Sequence, residues 1–467
     1  MPPPARDLLT DAIAASVPAR AYLSTWQPAS TANPNLSRSA MPSSRPHILF
    51  VSDVLPANVR ESTHGIFKRM RLFLDACADI AEVRALFFVQ PTLAITDDLA
   101  RTYADELARY WNLRITVRFC HLLPAAKLDR ILNANLFRGP LGYRTSGPEQ
   151  VSALSELIAA GPRAIVLHRL NAASTILRVP RPDVPVFFDM DDVEHLAFFR
   201  DIRQPPTWRS KPLLYLQIPA IIALEHRVTA RVDRTFVCSA RDAKHLSSTW
   251  RMKSVAAVPN AVEIPDLTED PNSPTVAFVG ALRYAPNAVA ADYLVEKVWP
   301  RIRAAIPGAT LQIAGSGADR TRSYHKHVDG VHFRGYVTDM AAFYAETAVV
   351  CCPIWSGGGT RLKIVEAAAF GRAVVSTVFG AQGLSFDDGV DILLRDDAES
   401  IAAACIQLLT DPALRLRLGR AARQKAEQLY DRKNVVASIR SSIESAIVSH
   451  EHDRPVADKS GPPDIHP

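Results

Sequence analysis

The chain has 467 residues, 54 Lys+Arg against 48 Asp+Glu for a formal net charge of +6, and 48% hydrophobic residues. With 22% charged residues it can fill globular cores, which excludes a disordered or fibrous chain, and its length is that of about two to three domains. The charge is uneven: 29 basic against 21 acidic residues over 41–262, and 22 against 25 over 263–467, which argues against a uniformly basic nucleic-acid binder.

Residues 1–44 are rich in Pro, Ala, Ser and Thr, with no basic segment leading into a continuous apolar one; they are read as a disordered extension rather than a secretory leader. From Pro46 an apolar strand, HILFVSDVL, opens an alternating series. Further strands are predicted at Val83–Val89, Ile115–Cys120, Ala164–His168, Val184–Met190 and Thr235–Cys238. Helical periodicity separates them at Gly65–Ile80, Asp97–Leu113, Glu149–Ala160, Leu213–Ala230 and Ala240–Trp250. Non-alternating β-branched runs between helices mark a parallel sheet covered on both faces. The apolar stretch Leu213–Leu224 holds Pro219 and is shorter than the about 20 residues a membrane span needs, so the expectation is a cytoplasmic protein.

The pattern breaks at EIPDLTEDPNSP and restarts at Thr275. Strands follow at 275–280, Thr310–Ala314, Ala348–Cys352, Ala373–Ser376 and Ile392–Leu394. Helices are predicted at Asn287–Ile306, Met340–Thr347, Leu362–Phe370, Ala398–Leu409, Pro412–Tyr430 and Arg432–Ile447. The expected fold class is α/β, two Rossmann-like doubly wound domains facing a central cleft: 45–262 and 263–430, then a terminal helix 431–448 packing back on the first domain and a disordered tail 449–467. Six cysteines, at 77, 120, 238, 351, 352 and 405, form no CxxC pair and sit in apolar runs, as small buried hydrophobes in a reducing compartment do.

The densest chemistry lies in VVCCPIWSGGGTRLKIVEAAAFG. An apolar strand enters a loop, Gly357-Gly358-Gly359-Thr360, and a helix follows. Glycines there leave backbone N–H groups aimed along a helix N-terminus, an anion site suited to phosphate. Arg361 and Lys363 add positive charge at its mouth. Glu366, three residues beyond Lys363 on the same face, is placed to accept hydroxyls of an adjoining ribose. A tight turn before an ordinary amphipathic helix is the plainer alternative.

PIWSGGGTRLKIVEAAAFGRAVVST resembles the donor-site signature of the family-4 (group 1) nucleotide-sugar glycosyltransferases of the GT-B fold. VPNAVE, FVGALRYAPNAVAADYLVEKVWPRI, LQIAGSG and VHFRGYVTDMAAFYAETAVVCCPI resemble that family in order. The resemblance implies retaining transfer of a sugar from a nucleotide-sugar donor to a glycan or lipid-linked acceptor, in cell-envelope or exopolysaccharide biosynthesis, with no cofactor and no metal. It assigns Glu366 to the second glutamate of an E-x7-E motif holding the ribose, Gly357–Thr360 to diphosphate and sugar, and Lys363 or Arg361 to the leaving group. Gly280, Gly315, Gly335 and Tyr336 would line the nucleotide pocket. The chain departs from the pattern twice: Gly358 stands where the motif has its first glutamate, and Arg283 is the nearest substitute for an Arg usual after Gly280.

The first half reads as the acceptor side. Gly65, preceded by His64, would close on the donor. His168 ends a strand and is followed by Asn171-Ala172-Ala173-Ser174, a sugar-contacting arrangement in related enzymes. Asp189 and Asp191 are expected in the cleft, with Asp192 capping the next helix; DMD also resembles a metal-binding D-x-D, which would bring in His195. The basic run Arg200–Lys253 is either a solvated surface or a docking face for an anionic membrane leaflet. The rival readings are a nucleotide-sugar epimerase on the same fold and a non-catalytic binding subunit.

Overall fold

The structure, a computed structural model, describes residues 45–56, 59, 65–123, 145–203, 215–267, 269–271 and 273–453. The expected extension 1–44 lies outside the described residues; of the tail expected over 449–467, residues 449–453 instead continue the last helix, and 454–467 lie outside the described residues.

Two wholly parallel sheets are present. The first runs β3-β2-β1-β4-β5-β6-β7, with β1 His47–Ser52, β2 Glu82–Val89, β3 Ile115–His121, β4 Ala164–His168, β5 Val186–Asp191, β6 Arg234–Val237 and β7 Val255–Ala257. The second runs β10-β9-β8-β11-β12-β13, with β8 Thr275–Val279, β9 Thr310–Ala314, β10 Val331–Gly335, β11 Val349–Cys352, β12 Ala373–Ser376 and β13 Leu393–Leu394. Strand order reverses between β1 and β4 and between β8 and β11, and at such switch points the carboxyl ends of the strands open a crevice.

The sequence reading missed β7 and β10, both sheet edges. In β10 the polar His332 and Arg334 are exposed while the other three residues are partly buried, so no continuous apolar run marks it. Two predicted helices contain a π-helical turn, at Leu294–Val298 and at His245–Thr249. All six cysteines are free and buried.

The first sheet has a core on each face, one around Phe50, Phe73 and Phe236 and one around Phe88, Phe188 and Met190; the second domain has a single core around Trp299 and Phe278. The long helix Arg432–Asp453 buries Val435, Val436, Ile439, Ile443 and Ile447 in the first domain, so the chain crosses between domains twice. The crossings are hydrogen-bonded to one another: Val262 N–H donates to the Tyr430 carbonyl and Arg432 N–H to that of Val262, both at 2.9 Å.

Candidate functional site

β11 ends at Cys352, and the glycine loop leads directly into the helix Leu362–Ala369, closed by Gly371 in the left-handed region (φ 68°). Gly357 (φ 103°) and Gly359 (φ 66°) hold backbone that side-chain-bearing residues rarely adopt; Gly358 does not. Among the described residues no backbone carbonyl accepts from the N–H groups of these three glycines, which leaves them available as donors.

Arg361 does not extend toward the mouth of this loop as expected. Its guanidinium folds back on the carbonyls of Ser356, Gly357 (3.1 Å), Gly358 (3.0 Å) and Gly359 and lies 5.1 Å over the Phe379 ring. These bonds tie the loop to the start of its own helix. Lys363 is the cation that faces the site. Its Nζ donates to Asn287 Oδ1 at 2.6 Å, lies 4.6 Å over the Phe278 ring, and would stand 2.5 Å from a Cβ on Gly280. Burial, reinforced by Arg361, brings its ammonium down to about 8.

The ends of β8, β9 and β10 form one row. Gly280 N–H donates to the Ala314 carbonyl at 2.8 Å, and Gly315 N–H to that of Gly335 at 2.7 Å. Gly315 (φ 147°) approaches the Gly280 carbonyl too closely for any side chain. Arg283 is exposed, its stem covering Gly317, and Tyr336 is 46% exposed beyond Gly335. Glu366, one turn into the helix from Lys363, meets Lys68 of the opposite domain, Nζ to Oε1 3.2 Å.

Across the cleft, Gly65 opens the helix Gly65–Ala78 facing Leu362, whose Cδ1 would lie 3.4 Å from a Cβ there. Two helix N-termini thus converge, and Lys68 one turn in is the cation the sequence reading missed. His64 lies outside the described residues. The predicted cleft residues of β4 and β5 are mostly sealed. Asp189 is fully buried in a forked ion pair with Arg69, Nε to Oδ1 2.8 Å and Nη2 to Oδ1 2.6 Å. Burial opposes the Arg69 charge, but the carboxylates of Asp189 and Asp191 outweigh it and hold the guanidinium protonated. Arg69 Nη1 continues to the Val258 carbonyl (2.9 Å) and Asn260 Oδ1 (3.1 Å), tying the helix to the domain crossing. Asn260 Nδ2 then donates to Thr360 Oγ1 at 2.9 Å.

His168 is also fully buried. Its Nδ1 is 2.9 Å from Ser52 Oγ, its ring stacks on Phe50, and Nε2 has no hydrogen-bond partner, 3.8 Å from Asp189 Oδ2. Burial, with Arg169 and Arg69 nearby, keeps it neutral. It therefore does not open on the cleft. Asp191 (φ 59°) keeps 15% side-chain exposure.

Nor does the D-x-D segment present a metal site: Arg69 occupies Asp189, and among the described residues no group of three or more His, Cys, Asp or Glu is arranged to hold a metal. His195 instead pairs Nδ1 with Glu225 at 2.5 Å and Nε2 with His245 at 3.2 Å. Its N–H is taken by Glu225 Oε1 (3.1 Å), not capped by Asp192, whose carboxylate turns toward Gly358. Only motif context could have flagged Asn260 (VPNAVE) and Asn287 (YAPN); nothing local marks Arg69.

Residues 273–411 match the family described as Glycosyl transferases group 1. The chain is 29% identical over 187 residues to a phosphatidyl-myo-inositol mannosyltransferase of Mycolicibacterium smegmatis, covering 36% of this chain and 48% of that protein. It is 32% identical over 176 residues to a glycogen synthase of Mycobacterium tuberculosis, covering 34% and 40%. The matched stretches thus span about half or less of these relatives' own lengths. Among solved structures, Anabaena HepE in complex with UDP and glucose superposes with TM-score 0.58 over 85% of this chain and 99% of that one, at 14% identity, a likeness of fold.

Proposed function

Because residues 273–411 belong to the group 1 glycosyl transferases and the described chain folds as GT-B, we infer that the protein is a glycosyltransferase. It moves a sugar from a nucleotide-diphosphate donor to a glycan or lipid-linked acceptor, with retention of configuration and no metal or other cofactor, in cell-envelope or exopolysaccharide assembly. One observation carries the reading: the glycine loop runs directly into the helix that bears Lys363 and, one turn on, Glu366, opposite Lys68 and the helix start at Gly65. Backbone N–H groups suit a diphosphate, and a carboxylate one turn on suits a ribose diol.

In this reading the chemistry is leaving-group stabilisation. The loop N–H groups and the Lys363 ammonium meet the charge that develops on the diphosphate as the anomeric bond breaks, the kind of contribution worth about 3 kcal/mol per donor. The departing phosphate oxygen takes the acceptor hydroxyl's proton, so no separate base is needed, consistent with a sealed, neutral His168. Bringing the two helix N-termini together excludes water and limits donor hydrolysis. The relatives named for phosphatidyl-myo-inositol and for glycogen leave both acceptor classes in play. Where the acceptor is lipid-linked, the basic first domain would meet an anionic leaflet peripherally; no helix among the described residues is long and apolar enough to cross a membrane.

A thermal-shift panel of nucleotide-sugars, followed by transfer assays with and without EDTA, tests this. Saturating donor should stabilise by about 2.7 kcal/mol at a hundredfold excess over Kd, and transfer should survive chelation. No shift with any nucleotide-sugar overturns the reading, and saturable binding with neither hydrolysis nor transfer favours the non-catalytic rival.

A further inference from the structure

Gly358 stands where the resembling motif carries a carboxylate, and its backbone gives no reason for glycine: unlike Gly357 and Gly359, it is not in the left-handed region. What excludes a side chain is a residue of the other domain. A Cβ on Gly358 would lie 2.5 Å from Asp192 Oδ2, and one on Gly359 3.1 Å from Asp192 Oδ1. The Asp192 carboxylate therefore occupies space that an acidic side chain at 358 would itself fill. It comes from the turn between β5 and the helix Glu194–Arg203. Its oxygens have hydrogen-bonding capacity for hydroxyl donors at the loop that holds the sugar end of the donor.

We propose that Asp192 is a sugar-recognition residue, supplying across the domain boundary the hydroxyl-binding carboxylate that the donor loop lacks at Gly358. The proposal rests on the glycosyltransferase reading and deepens it: the transferred group is a hydroxyl-rich sugar whose recognition is complete only when the domains are closed. In this arrangement the contact is tight: Arg200 Nη2 donates to Gln382 Oε1 at 3.2 Å, and the polar cavity between Asp192, Arg241 and Asp242 on one side and Thr360 and Gln382 on the other is about 20 Å³, room for roughly one water, so a sugar entering there parts the two faces while the carboxylate stays within reach. Opening the domains withdraws the carboxylate, so sugar discrimination is coupled to closure.

The experiment compares wild type, Asp192→Asn, Gly358→Ala and the relocating double variant Asp192→Gly with Gly358→Glu. Each is measured for binding of the nucleoside diphosphate alone and for kcat/KM with the full donor and its sugar epimers. Asparagine keeps the shape of aspartate, and circular dichroism with thermal melting establishes that each variant is folded. Asp192→Asn should leave nucleoside diphosphate affinity within about twofold and lower kcat/KM for the cognate donor roughly tenfold or more, narrowing the preference over epimers, as loss of a charged hydrogen-bond partner does. Gly358→Ala should reproduce that loss with Asp192 intact, by displacing its carboxylate, and the relocated carboxylate should restore much of the preference.

Equal kinetics in wild type and Asp192→Asn overturns the proposal. So does an equal loss of nucleotide and nucleotide-sugar affinity, which marks a structural role, or a silent Gly358→Ala. Wild-type protein that binds the nucleoside diphosphate but discriminates no sugar overturns this proposal alone. Wild-type protein that binds no nucleotide-sugar overturns the glycosyltransferase reading as well.

Discussion

The two walls of the cleft are built on opposite plans. On the second domain, the residues from Gly357 to Glu366 form one continuous stretch, and even its strongest cation, Arg361, bonds back to its own loop. On the first domain, Lys68, Arg69, His168, Asp189 and Asp192 come from a helix and two strand ends, and Arg69 bridges to Asn260 across 191 positions of sequence. A wall of backbone donors tolerates many side-chain changes. A wall of interlocked charged side chains does not, because removing one partner strands another without water.

The largest effect should therefore fall on the first wall. Arg69→Met leaves Asp189 buried and unpaired and frees the Val258 and Asn260 contacts at the crossing, so it should cost about 3–5 kcal/mol. Arg361→Met removes hydrogen bonds to carbonyls that solvent can partly reach, and should cost about 1–3 kcal/mol. Chemical denaturation of both checks this, and equal losses would break the contrast between the walls.

Activity should show the reverse order. Glu366→Ala should leave folding intact but, on the proposed assignment, removes the acceptor for the ribose, and kcat/KM should fall by about two orders of magnitude, the upper range for a hydrogen bond to a charged group. Near-normal transfer by this variant sinks the donor-site assignment.

This asymmetry also explains what the sequence made legible. Buried strands such as Phe50–Val51 and Val349–Cys352 announce themselves because both faces of a parallel sheet demand continuous apolar runs, whereas the edge strand β10 alternates with solvent and hides. The glycine loop is legible because its strand, turn and helix are consecutive in sequence. Spacing alone puts Arg361 at the mouth of the loop, because it does not reveal that a guanidinium can satisfy its own loop's carbonyls. His168 ends β4 and Asp189 pairs beside it in β5, yet both are sealed, since the group that covers Asp189, Arg69, enters from a helix 120 positions earlier. For Asp192 helix capping is the local option, whereas its neighbours in the structure, Gly358 and Gly359, lie in the other domain.

The pH profile sharpens the comparison further, with one limb from each wall. Burial and the neighbouring Asp191 and Asp242, opposed by Arg169 and Arg361, push the Asp192 carboxyl up to about 6, so kcat/KM should rise with pH through about 6. Lys363 loses its proton near 8, so donor affinity should fall above that. Asp192→Asn should erase the rising limb and Lys363→Gln the falling one, each limb being about tenfold per pH unit. Stability responds with its own sign. A carboxyl raised on folding stabilises at low pH, and that contribution is lost as pH rises through about 6; above it Asp192→Asn should be more stable than wild type, by up to about 3 kcal/mol.

The smallest effect should come from the contact joining the walls. Lys68 and Glu366 pair at 3.2 Å with side chains 35% and 21% exposed, and such half-exposed pairs are worth about 0.2–1 kcal/mol. Lys68 neutralises Glu366 here; on the proposed donor assignment, a ribose taking that carboxylate would release the ammonium toward the diphosphate, so that what is lost in one place is partly regained in the other. Lys68→Ala should therefore change donor Kd by no more than about fivefold, and the change should shrink as ionic strength rises. A loss as deep as that of Glu366→Ala, insensitive to salt, would mean that Lys68 is a full member of the diphosphate site. In that case the first domain binds donor directly, not only through the sugar.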